Sequence, residues 1–164
     1  MTKDTKDTKD TTEFKLDFET GNIGVDIVTN RFIDQERTFS VSSNKEDYDL
    51  SMNGTTYELK TNYKDDGKLV VEEWYDRDKG KKGWIVTTKS DYIVFISKKT
   101  KTMLIYPTNL LKLWYKENHP EIQKNYELHE NKISIGLHGD TWISEYRRIP
   151  IKEIGVKPIV LKGV

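Results

Sequence analysis

Asn53-Gly54 lies between two short segments of alternating apolar and polar residues, and this arrangement constrains the fold more than any other stretch of the chain. A two-residue type I′ turn needs positive φ at both central residues, a demand that Asn-Gly meets well. The dipeptide therefore predicts a β-hairpin, with Tyr48 to Met52 antiparallel to Thr55 to Tyr63. Side chains two apart on a strand share a face, so Glu58 and Lys60 project together. Asp49 reaches that face from the neighbouring strand. Two carboxylates and an ammonium then converge on one spot.

Such a convergence suits a hard divalent cation. Mg²⁺ takes oxygen ligands, keeps several waters, and is usually held by one or two carboxylates plus substrate phosphate oxygens. The carbonyl of Leu59, between the two side chains, offers a further ligand. A cation held there lowers the pKa of a bound water, and a lysine beside it orients that water or offsets charge developing on a phosphoryl group. The bland alternative is a solvated strand face, because charged residues make up 33% of the chain and antiparallel sheets commonly keep one face wet.

Composition limits the setting. A length of 164 residues favours one domain, and 35% hydrophobic content leaves a substantial share to tail, loop and solvated surface. No stretch approaches the roughly 18 apolar residues of a membrane span, and the N-terminus lacks a secretory apolar region. The absence of cysteine excludes disulfides, thiolate metal sites and a cysteine nucleophile, and fits a cytoplasmic protein. His119, His129 and His138 are scattered without zinc-site spacing. The 27 basic and 27 acidic residues balance, which argues mildly against non-specific nucleic-acid binding. Local basic clusters at Lys79 to Lys82, at Lys98, Lys99 and Lys101, and at Arg147-Arg148 soften that objection.

Residues 1–12 repeat Thr-Lys-Asp three times and are expected to form a disordered polar tail, with 13–164 as a single domain. A helix is predicted from about Gly21 to Phe32 and a short strand from Thr38 to Ser42. Beyond the hairpin come a strand at Leu69 to Tyr75, a charged loop, and a brief extended segment at Trp84 to Thr87. A buried strand at Asp91 to Ser97 returns as Thr102 to Tyr106. Pro107 and Asn109 should start a helix that ends near Asn118, before Pro120. A strand at Thr141 to Arg148, a helical turn around Ile151 to Ile154 and a loose end complete the chain. This order predicts an α/β or α+β fold with a mixed central sheet flanked by helices.

Asp49, Glu58 and Lys60 match the D…E-x-K signature, and the chain resembles the PD-(D/E)xK, or restriction-endonuclease-like, nuclease superfamily. The P-D or D-P element is missing, since Tyr48 and Leu50 flank Asp49. The stretch Glu58 to Ser97 is similar to phage-type and mobile-element members, with Glu72, Thr88 and Asp91 at their acidic, threonine and aspartate positions. The resemblance covers roughly Gly21 to Trp114. It implies that Asp49 and Glu58, with the Leu59 carbonyl, bind Mg²⁺ (Mn²⁺ substituting), and that Lys60 assists the attacking water. Many members add an acid from the first helix, for which Asp26 is preferred over Glu19. Asn62, Glu72, Lys82, Thr88 and Lys89 are the implied DNA contacts.

The implied activity is metal-dependent endonucleolytic hydrolysis of DNA, structure-specific or tied to recombination and repair in the manner of Holliday-junction resolvases, in a bacterial or phage-infected cell. A resolvase cuts two strands symmetrically, which implies a homodimer. The alternatives are a sequence-specific restriction endonuclease, a non-catalytic DNA-binding protein on the same fold, and a β-rich interaction domain with a coincidental E-x-K. Several residues have bland readings: Asp91 as a strand cap, Trp74, Tyr75 and Trp84 as core aromatics rather than base-stacking groups, Thr87 to Lys89 as a polar turn. Glu72 and Glu73 are adjacent and face opposite ways, so at least one is expected at the surface.

Overall fold

In the computed structural model the described residues are 39–41, 48–62, 66–97, 99–135 and 140–163. The expected polar tail, the first helix, and with it Glu19 and Asp26, lie outside them. Ten strands, two α-helices and one 3₁₀ turn are described. They are β1 (Phe39–Val41), β2 (Leu50–Met52), β3 (Thr55–Asn62), β4 (Lys68–Asp76), β5 (Lys81–Lys82), α1 (Trp84–Thr87), β6 (Tyr92–Ser97), β7 (Thr102–Pro107), α2 (Thr108–Asn125), β8 (Leu128–Ile135), β9 (Asp140–Pro150), the 3₁₀ turn (Ile151–Glu153) and β10 (Ile159–Lys162).

The strands form two sheets. One has six strands in the order β1-β2-β3-β6-β7-β10, and the other has four in the order β5-β4-β9-β8. The first is mixed: β3 and β6 run parallel, and its other pairs are antiparallel. The fold class is therefore α+β, as expected, although the second sheet was not foreseen. Asn53 and Gly54 adopt φ of 50° and 81°, and Met52 pairs directly with Thr55, so the two-residue turn forms as the sequence predicts.

The core explains this arrangement. Ile93 and Phe95 of β6 join Tyr106, Leu111, Tyr115, Ile122, Leu69, Val71 and Ile149 in the principal cluster, which links both sheets to α2. Val94 and Ile96 point the other way into a second cluster with Leu50 and Met103. A strand buried on both faces reads as an unbroken apolar run, and Tyr-Ile-Val-Phe-Ile is such a run.

Four local expectations are corrected. Trp84 to Thr87 is a helical turn rather than an extended segment, because the Gly83 carbonyl accepts the amides of Val86 and Thr87. Helix α2 does not stop at Pro120 but runs through it to Asn125. An interior proline costs about 3 kcal/mol, and burial of Ile122 recovers roughly 1.5–3 kcal/mol. Arg147 then caps the end by donating to the Tyr126 carbonyl. The unforeseen β8 has weak polar alternation and pairs with β9 over its full length. The expected loose end is β10, held by β7. No helix among the described residues is long and apolar enough to cross a membrane.

Candidate active site on the β2–β3 hairpin

The register of the first sheet decides where the three singled-out side chains go. Glu58 pairs with Ile93 and Lys60 with Phe95, so both lie on the face of the principal core. Continuing the β2–β3 register by one residue places Asp49 opposite Glu58, on that same face. Asp49 is fixed from two sides. Its amide donates to the Tyr57 carbonyl at 2.9 Å, and its Oδ2 accepts the Leu59 amide at 2.8 Å. A residue's amide and carbonyl leave a strand on the same edge, so the Leu59 carbonyl also projects towards Asp49.

Glu58 is 6% exposed, and its Oε1 lies 2.6 Å from Lys60 Nζ. Its Oε2 accepts the Thr88 hydroxyl at 3.3 Å. Lys60 stretches over the Trp84 ring, with Nζ 5.6 Å from the centroid, a cation–π arrangement. Burial pulls the Lys60 pKa down, but the charges of Glu58, Asp49 and Glu72 outweigh it and hold the group above its ordinary 10.5. Lys60 therefore stays an ammonium at neutral pH.

Glu72 reaches the same notch from β4. Its Oε2 accepts the Trp84 amide at 3.4 Å. Burial raises its pKa above 4.5, Lys60 and the Trp84 amide oppose the rise, and Glu58 adds to it. An acid whose folded pKa is raised costs stability once pH passes its unfolded value, because the fold disfavours the charged form. Glu72→Gln keeps an acceptor for Trp84 without the charge. It should melt above wild type near about pH 7, with the difference closing below about pH 4, as scanning calorimetry across that range would register. A constant gap at all pH would remove the electrostatic explanation.

The remaining sequence candidates divide. Thr88, expected to touch DNA, is 2% exposed and turned inward, so it cannot present its hydroxyl to a phosphate. Lys82 is exposed and packs over Trp74, Nζ 3.2 Å from the ring centroid. Lys89 is exposed and Asn62 ends β3, its side chain outside the described set. Asp91 takes the bland role: its Oδ2 accepts the Thr56 amide at 2.8 Å and hydroxyl at 2.9 Å, tying β6 to β3, and these bonds lower its pKa.

The expectation that Glu72 or Glu73 would lie at the surface is corrected. Glu73 is 8% exposed and receives Tyr115 Oη at 2.7 Å and Arg147 Nε at 2.8 Å, fastening β4 to α2 and β9. Trp84 is core, edge-on to Phe95, whereas Tyr75 is 45% exposed and lies against Trp142. Sequence reasoning missed Ser90, Thr108 and Lys112, which stand behind Thr88. They lie thirty or more residues beyond Glu58, and nothing in the local pattern marks them.

The donors fit a hard cation. Asp49 Oδ2 accepts the Leu59 amide and Glu58 Oε2 the Thr88 hydroxyl, so an ion would meet the other oxygen of each carboxylate, Glu58 Oε1 sharing its charge with the Lys60 ammonium, together with the Leu59 carbonyl. Among the described residues no group of three or more Asp, Glu, His or Cys is gathered as a metal site. A donor set of two carboxylates and a carbonyl matches the habit of Mg²⁺, which retains water, and not that of zinc.

No protein-family model matches the chain, and no curated protein is significantly similar to it. Among solved structures, the chain is similar to a bacterial homing endonuclease at 16% identity and a TM-score of 0.39, over 56% of this chain and 64% of that one. The chain thus spans less than two thirds of that enzyme's length.

Proposed function

We propose that this chain is a metal-dependent endonuclease that hydrolyses DNA phosphodiester bonds, acting on branched or recombination intermediates. One observation carries the reading: Asp49, Glu58 and Lys60 lie on one face of a single hairpin, with Lys60 Nζ 2.6 Å from the Glu58 carboxylate. Asp49, Glu58 and the Leu59 carbonyl would hold Mg²⁺, or Mn²⁺ in its place. Bound there, the ion would supply a water of lowered pKa and charge stabilisation at the phosphoryl group.

The chain's own residues do the rest. Lys60, kept protonated by its acidic neighbours, is a poor proton acceptor. Its ammonium suits a donor that orients the attacking water and offsets charge growing on the phosphoryl oxygens. Glu58 aims that ammonium, and Trp84 supports it from below. Lys82 and Lys89, exposed near the segment that carries Trp84, suit contacts to the DNA backbone. Symmetric cutting of a four-way junction would require two copies of the chain.

The test is incubation with four-way junction, flap, single-stranded and linear duplex DNA, each with and without Mg²⁺. Mg²⁺-dependent cleavage, strongest on branched DNA, is the expected result. Cleavage of plain duplex at one sequence with no preference for junctions would replace this reading with a restriction enzyme. Retention of DNA in a gel shift without any cutting would make the chain a binding protein.

A further inference from the structure

Behind Glu58 lies a buried row of hydroxyls that the proposed chemistry does not use directly. Thr88 Oγ1 is 3.3 Å from Glu58 Oε2, Ser90 Oγ is 3.0 Å from Thr88 Oγ1, and Thr108 Oγ1 is 3.3 Å from Ser90 Oγ. Thr88, Ser90 and Thr108 are 2%, 4% and 5% exposed, too enclosed for water to replace any member. The direction of the row follows from proton counting. An ionised carboxylate only accepts, so Thr88 must donate its one hydroxyl proton to Glu58. Ser90 must then donate to Thr88, and Thr108 to Ser90. The Ser90 amide, 3.4 Å away, takes the second lone pair of Thr88 Oγ1.

The backbone of Thr88 is committed as well. Its amide donates to the Trp84 carbonyl at 3.0 Å, and its carbonyl accepts Lys112 Nζ at 2.6 Å. The position is thus anchored to α1, to α2 and to Glu58 together.

We propose that Thr88 is a positioning residue for the cation-binding carboxylate: with Ser90 and Thr108 behind it, its hydroxyl holds Glu58 Oε2 inward and presents Oε1 to the ion and to Lys60. This inference rests on the nuclease reading. Groups that hold a metal ligand in place commonly change metal affinity by 10–100-fold when removed. Loss of this donor leaves a carboxylate oxygen buried without its partner and lets the side chain rotate.

The full chain and its Thr88→Val, Thr88→Ser and Ser90→Ala variants are titrated with Mn²⁺ by calorimetry, and cleavage of the best DNA substrate is followed against Mg²⁺ concentration. Thr88→Val, nearly the same shape without the hydroxyl, should weaken Mn²⁺ binding roughly tenfold or more and move the Mg²⁺ requirement upward by a similar factor. Thr88→Ser should recover most of the loss. Ser90→Ala should shift affinity the same way by less, and it carries the test if Thr88→Val does not fold. Unchanged affinity in folded Thr88→Val, or in Ser90→Ala where that variant carries the test, overturns the assignment while leaving the nuclease reading intact. Equal loss in folded Thr88→Val and Thr88→Ser overturns it too, since packing rather than the hydroxyl would then be responsible. A wild-type chain that neither binds Mn²⁺ nor cuts DNA overturns both.

Discussion

Glu58→Gln and Lys60→Ala should each lower Mg²⁺-dependent cleavage by on the order of a thousandfold or more, measured well below the melting temperature of each variant. The two losses differ in kind. Glutamine cannot give the charged oxygen that lies 2.6 Å from Lys60, so it removes the proposed cation ligand and the group that aims the ammonium. Alanine at 60 leaves the ligands in place and removes the donor. Calorimetry with Mn²⁺ should therefore show weak binding for Glu58→Gln and retained binding for Lys60→Ala. Lys60 is 31% exposed but the Glu58 side chain only 8%, so removing the ammonium leaves a buried carboxylate without its partner and lowers stability as well. The stability that Lys60 adds is fully present below its ordinary pKa of 10.5 and is lost as pH rises through its raised folded value. No alkaline fall in activity below that ordinary value should therefore disappear in Lys60→Arg. Cleavage at the wild-type rate by either Glu58→Gln or Lys60→Ala would end the assignment.

Among the described glycines, Gly83→Ala should be the most damaging substitution. A Cβ at position 83 would sit 2.1 Å from the Glu72 carbonyl oxygen and 2.5 Å from its carbon, both backbone atoms that no rotamer change can move. Gly83 has φ of −75°, so the constraint is close approach of α1 to β4 and not backbone conformation. Relieving the clash means lifting α1 away, which breaks the 2.9 Å bond from the Gly83 amide to the Glu73 carbonyl. A loss of about 3 kcal/mol is expected from overpacking of this kind, which for a chain of this size lowers the melting temperature by roughly 6–12 °C. Trp84 would move with α1, so cleavage should fall even well below the melting transition. A variant that melts within about 2 °C of wild type would contradict this packing argument.

The hairpin, the buried strand β6 and the opposition of Asp49 to Glu58 were legible in the sequence because each is encoded within a few residues. Asn53-Gly54 dictates a turn, and the turn dictates a register. What the sequence did not disclose depends on distant partners. Trp-Ile-Val-Thr has strand propensity, yet it turns helical because Gly83 lets the chain press onto Glu72. Pro120 reads as a helix stop, yet burial of Ile122 carries α2 onward. Thr88 reads as a surface hydroxyl in a polar turn, and only the parallel pairing of β3 with β6 brings it to Glu58. Glu73 reads as surface charge until Tyr115 and Arg147 arrive from α2 and β9.

Because Asn53-Gly54 joins its strands through only two residues, the carboxylates and the amine all belong to the twelve-residue stretch from Asp49 to Lys60. A β-hairpin closes in about 1–10 μs, whereas a parallel pairing must wait for its longer crossover. Grip and aim therefore mature on separate clocks. In the order of folding, the two acids would meet across the turn before Glu72, Trp84 and Thr88 come in beside them.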